Sequence, residues 1–110
     1  MTDEAKAIAK LQRLKDLGFN FLTLQRYERQ VVAEREGFAA LIEYLPAGDV
    51  RQFSSAGYMI EGQIGMLMVR GRESFFVAKQ KEVRATAEML ERYRRFQEDL
   101  RSALGGTFVQ

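Results

Sequence analysis

The side chains able to do chemistry here are carboxylates, guanidiniums, amines and hydroxyls, because the chain contains no histidine and no cysteine. Without histidine it lacks the usual general base near neutral pH and the usual transition-metal ligand. Without cysteine it has no thiolate nucleophile, disulfide, zinc ribbon or iron–sulfur cluster. Paired-acid chemistry of the glycosidase kind remains open; it needs two carboxyls held apart in a cleft, one with a raised pKa. Glu28, Glu34, Glu43, Glu61, Glu73 and Glu82 fall on or near expected strands, yet no spacing pairs them. Solvated strand-face charges are the simpler reading. Glu43 and Glu61 have apolar neighbours, so each is a candidate for partial burial against an arginine. No catalytic residue, metal site or cofactor is expected, and a carboxylate-only enzyme ranks third among the functions considered.

Two short motifs bear on nucleic acid. Gly62-Gln63-Ile64-Gly65 has the spacing of the loop with which KH domains clamp a backbone. That loop joins two helices and carries basic residues, whereas this one sits in a strand-like run and has none. A bulge within a strand is the better reading. The hairpin around 70–79, with Arg70, Arg72, Phe75 and Phe76, loosely resembles the basic–aromatic strand of an RNA-recognition motif. Adjacent Phe75 and Phe76 must point to opposite faces, so one at most can serve a given stacking platform. RNA or single-stranded DNA binding through this hairpin is the second function considered. Arg84, Arg92, Arg94, Arg95 and Arg101 alternate with Glu88, Glu91, Glu98 and Asp99, which describes an ion-paired helix surface rather than a basic stripe.

With 110 residues, 46% hydrophobic and 29% charged, the chain suits one domain with one core. Its formal charge of +2 comes from interspersed signs, so charge alone argues against nucleic acid as a partner. No apolar run is long enough for a spanning helix, and the first residues lack a signal-peptide pattern. A cytoplasmic, membrane-free protein is expected.

The elements follow from periodicity and punctuation. An amphipathic helix is predicted over about 3–17: Thr2 can cap it, Gly18 follows it, and Ala7, Ile8, Leu11, Leu14 and Leu17 share a side. The segment 19–25 reads equally as strand or connector. Strands are predicted over about 27–35 and 38–45, with Glu36-Gly37 as their turn, and over about 58–70 and 73–79, with Gly71-Arg72 as theirs. The intervening 50–57 reads as loop or irregular strand. A longer helix over about 87–104 has Thr86 as N-cap, Gly105-Gly106 as stop, and Met89, Tyr93, Phe96, Leu100 and Leu104 as its apolar stripe; 105–110 is a tail. The fold class is α+β: an antiparallel meander of four to five strands flanked by an N-terminal and a longer C-terminal helix, all one domain.

Strand pattern carries the functional expectation. A sheet with one wet face alternates apolar and polar residues. Here Ile64, Met66 and Met68 share one face while Leu67 and Val69 share the other, and Phe75 and Val77 oppose Phe76 and Ala78. Two helices cannot cover both faces of such a sheet thickly. Methionine is common at adaptable binding surfaces, although core filling is its commoner use. The expectation is a non-catalytic interaction domain, a homodimer engaging a protein segment or apolar ligand on its sheet through Met59, Met66, Met68, Phe75 and Val77.

Overall fold

The computed structural model describes residues 3–23, 30–46 and 48–105. Two helices, α1 (Asp3–Asp16) and α2 (Ala87–Leu104), flank an antiparallel sheet curled into a half-barrel. Its strands are β1 (Asn20–Leu22), β2 (Gln30–Arg35), β3 (Phe38–Tyr44), β4 (Val50–Gln52), β5 (Gly57–Ile60), β6 (Gln63–Arg70), β7 (Glu73–Ala78) and β8 (Lys81–Arg84). Their spatial order is β1-β2-β3-β5-β6-β7-β8, a meander, with β4 paired to the far half of β3.

The helices end where sequence chemistry stops them. The Thr86 hydroxyl accepts from the Met89 N–H at 3.2 Å, and Gly105 closes α2 in the left-handed region at φ 67°, its N–H bonded to Arg101. α1 ends on Gly18 at φ 88°, where the N–H of Phe19 reaches back to the Leu14 carbonyl and the two side chains join one core. The expected N-cap of α1, Thr2, lies outside the described residues, as do residues 106–110 of the expected tail. Of the predicted stripe on α1, Ala7 and Leu14 are buried, while Ile8 is 69% exposed and Leu17 also lies open. Ile8 is a full 100° round the helix from Ala7, so the contact stripe is narrower than the apolar one.

More strands form than the sequence pattern indicates. The run expected as one strand over 58–70 is two: Glu61 and Gly62, at φ 48° and 79°, make a two-residue turn between β5 and β6. The bulge expected at the paired glycines is therefore a hairpin turn plus a close approach. A Cβ on Gly57 would sit 2.2 Å from the Gly65 carbonyl oxygen, so glycine permits the tight coil where β5 and β6 begin to part. The ambiguous 19–25 contains β1, and 50–57 contains β4, both of three residues. Residues 81–84, given no element by the sequence pattern, form β8; their charged sequence hides an edge strand, whose polar side chains face water. The start expected for β2 near 27 lies outside the described residues. Gly71 adopts φ 62° in its turn, as the Gly-Arg pair predicts.

β4 and β5 run in line along the edge of β3 that β2 leaves free. Between them the ladder is patched: Phe53 donates its N–H to the Leu41 carbonyl at 2.8 Å, and the Ser54 hydroxyl accepts from the Leu41 N–H at 3.0 Å. Both helices pack on the same face of the sheet. Leu14, Phe96 and Leu100 enclose Phe38, Ala40, Ile42 and Phe76 with no exposed surface beyond a few per cent. Phe38 contacts the rings of Tyr58, Phe76, Tyr93 and Phe96 at centroid separations of 5.3–6.2 Å. Arg35 clips this assembly at one end: its guanidinium lies 4.7 Å above the Phe19 ring and bonds Asp99 at 2.8 Å.

Candidate functional site

Because the helices share one face, strand alternation decides what the other face shows. On β6 and β7 the cross-strand pairs Leu67–Phe76 and Val69–Ser74 point to the helix side, and Met66–Val77, Met68–Phe75 and Arg70–Glu73 point away. Next to them Met59 pairs with Ile64 across β5 and β6 on that same outer side. The residues expected to bind a partner, Met59, Met66, Met68, Phe75 and Val77, therefore lie on one continuous face, and Ile64 joins them.

Burial falls along this face. Val32, Ala39 and Leu41 form a small buried cluster on which Met59 and Ile64 pack. Met66 and Met68 are 42% and 47% exposed, and Phe75 and Val77 are half-buried. A charged rim surrounds them. The Arg70 guanidinium sits 5.3 Å from the Phe75 ring centre and bonds Glu82 at 3.1 Å, while Arg84 reaches Glu73 at 3.3 Å. Each of these four charges is paired, so the face has an apolar middle and ion pairs along its edge. Such an arrangement offers apolar surface and sheet geometry rather than a net field.

The carboxylates do not converge. Glu34 accepts from the Gly37 N–H and the Asn20 amide, and Glu43 is partly buried against Arg51 at 2.6 Å, as its apolar neighbours suggest. Glu61, the other candidate for partial burial against an arginine, is exposed in its turn and pairs with Lys81, because the turn projects it from the sheet. Glu73 and Glu82 meet Arg84 and Arg70. Glu28 lies outside the described residues. Among the described residues no group of three or more acidic side chains could hold a metal ion.

Four titrations are displaced for identifiable reasons, one of them the Arg94 guanidinium, which its hydrogen bonds to Glu91 and Glu98 raise. The Asp49 carboxyl is held below the ordinary carboxylate range by its hydrogen bond from Lys10, and the Val50 N–H adds to this. Glu91 is lowered by Arg94 on the outer side of α2. Burial raises the Tyr93 phenol. Among the described residues none of these groups lies in a cleft with a second displaced acid or base.

Open depressions flank the core. One of about 520 Å³ lies at the turn end of the half-barrel, floored by Ile60 and Ala78 and rimmed by Glu61, Lys79 and Lys81. Another of about 380 Å³ is bounded by Ile8, Leu11, Phe21 and Tyr44. The hairpin around 70–79 offers one aromatic per face: Phe76 is wholly buried under the helices, and Phe75 lies beneath Arg70. No described helix is long and apolar enough to cross a membrane.

The geometry defines an α+β protein with both helices on one side of its sheet and an open apolar surface on the other. Comparison with protein-family models, with curated proteins and with solved structures finds no match for this chain.

Proposed function

We infer that this chain is a non-catalytic binding domain that works as a homodimer and engages an apolar protein segment on the open face of its sheet. The observation that carries the reading is the placement of both helices on one face. It leaves Met66, Met68, Phe75 and Val77 in register on adjacent strands with no described element over them. Exposed apolar patches of more than a few hundred square ångströms are uncommon on soluble monomers and mark contact sites. Methionine suits such a surface because its unbranched side chain refits to different partners. The scattered, individually neutralised carboxylates lend nothing to an enzymatic reading, and the paired rim arginines lend little to a nucleic-acid one.

Methyl-labelled methionine reports on this face directly. The chain has five methionines, and Met89 sits on α2 as an internal control. In a dilution series from high to low micromolar, the Met66 and Met68 methyl resonances are expected to shift and the Met89 resonance to stay. Addition of an apolar strand-forming peptide should move the same two. Methyl spectra unchanged in both titrations would overturn the reading.

A further inference from the structure

We propose that the outer half of β6 is the seam of a two-fold dimer, in which the edge of one chain pairs antiparallel with the same edge of a second copy, centred on Met68. This rests on the binding-face reading and names its first partner.

The edge exists because β5 is shorter than β6. β5 pairs with β6 only from Gln63 to Gly65, and opposite Met66 it has reached its first residue, Gly57. The chain before Gly57 turns to β3, where Phe53 and Ser54 bond Leu41, and the Ala56 carbonyl is taken by the Tyr93 hydroxyl. Alternate residues of a strand direct their backbone groups to opposite sides. Gln63 and Gly65 bond towards β5, whereas Met66, Met68 and Arg70 flank the two-residue turn and bond towards β7. Leu67 and Val69 therefore aim an N–H and a C=O each at a side where no described strand lies.

The side chains there are the wrong ones for an edge left in water. By contrast β8, the terminal edge beyond β7, reads Lys-Glu-Val-Arg and is blunted by charge. From Ile64 to Val69 β6 carries neither charge nor proline, and Val69 is 69% exposed. A six-residue apolar strand with an open edge aggregates unless something defined covers it.

A second copy fits in the register centred on Met68. With the two-fold axis at Met68, Leu67 faces the partner's Val69 and Val69 faces the partner's Leu67, so every open backbone donor meets an acceptor. An axis at Leu67 would set the partner's Val69 against Gly65, whose backbone β5 already occupies. The Met68-centred register also avoids a like-charge contact, since Arg70 lies beside the partner's Met66. On the outer face it joins Phe75, Met68, the partner's Met68 and the partner's Phe75 into one apolar floor about 15–20 Å across four strands. The segment-binding surface is half-built in one chain and complete in two.

Cysteine scanning tests this, because the chain has no native thiol. Residues opposite each other in a non-hydrogen-bonded antiparallel pair have Cα atoms about 4.5 Å apart, within the range of about 4.4–6.8 Å that a disulfide spans. Under mild oxidation of the full chain, Met68→Cys is expected to run as a disulfide-linked dimer, and Met66→Cys and Val69→Cys as monomers on a non-reducing gel. Val69→Pro removes an N–H that β7 does not use, so its circular dichroism should match the wild type while its dimer dissociation constant rises at least tenfold. Equal cross-linking at the three positions, none at Met68→Cys, or a folded Val69→Pro dimer of unchanged affinity would overturn the seam. If cross-linking fails while the Met66 and Met68 methyls still shift on dilution, the seam is wrong and the binding face stands.

Discussion

The Tyr93 hydroxyl on α2 donates a 2.8 Å hydrogen bond to the Ala56 carbonyl, in the segment that joins β4 to β5. Ala56 is fully buried, so this bond satisfies a carbonyl that water cannot reach. Tyr93→Phe should leave it unpaired and cost about 1–3 kcal/mol in denaturant unfolding. The same burial raises the phenol above its ordinary 10.0. The native state then holds its proton longer than the unfolded chain, so this contribution is intact below pH 10 and declines as pH rises towards the folded value. Alkaline destabilisation should be shallower in Tyr93→Phe than in the wild type, and equal slopes would contradict the assignment.

Phe96 is wholly buried, with its ring 5.1 Å from Phe19 and 6.2 Å from Phe38. Phe96→Ala should open a cavity and cost about 3–5 kcal/mol. Arg95, one residue earlier, faces solvent and pairs with Glu91, so Arg95→Ala should stay within about 0.5 kcal/mol. Chemical denaturation of the two variants measures the difference, and similar losses would mean α2 is rotated.

Lys10 on α1 meets Asp49 beside β4 at 3.0 Å, with both side chains largely shielded. Because the folded carboxyl is lowered from 3.8, the stabilisation is present above that value and is lost as pH falls through the folded one. Asp49→Asn should therefore destabilise at pH 7 and converge with the wild type in acid. A pH series of melting temperatures reads this, and a constant difference down to acid would show that the loss is steric.

Gly37 and Gly71 separate backbone strain from crowding. Both have positive φ, but a Cβ at Gly71 meets nothing within 4 Å, whereas at Gly37 it would lie 2.6 Å from the Tyr58 ring. Gly71→Ala should cost about 1–2 kcal/mol from backbone strain alone. Gly37→Ala should cost more, since Phe38 and Phe76 hold that ring in place. Thermal melts of the two variants compare them directly.

Local rules made much of this fold legible. Thr86 and Gly105 bracket α2 by capping chemistry, and Glu36-Gly37 and Gly71-Arg72 mark hairpins by the φ that glycine allows. The turn at Glu61-Gly62 repeats the Glu-Gly pair of the first hairpin, so its signal was present. It was masked by apolar residues on both sides that read as one strand. β1, β4 and β8 were obscure for a different reason: strands of three or four residues have too little periodicity to register, and pairing with neighbours alone makes them strands.

The same division holds for the candidate site. Alternation in the sequence determined that Met66, Met68, Phe75 and Val77 share a face, because the side-chain period of a strand is two. It could not determine which face the helices would take, since Leu67, Val69 and Phe76 make an equally apolar alternative. Only tertiary packing decided that: α1 and α2 bury Phe76 through Phe38 and Tyr93, and the methionines are left outside. The open edge at Leu67 and Val69 was likewise beyond the sequence. It arises from the unequal lengths of β5 and β6, set by where the chain returns to β3, a long-range contact that no local pattern encodes.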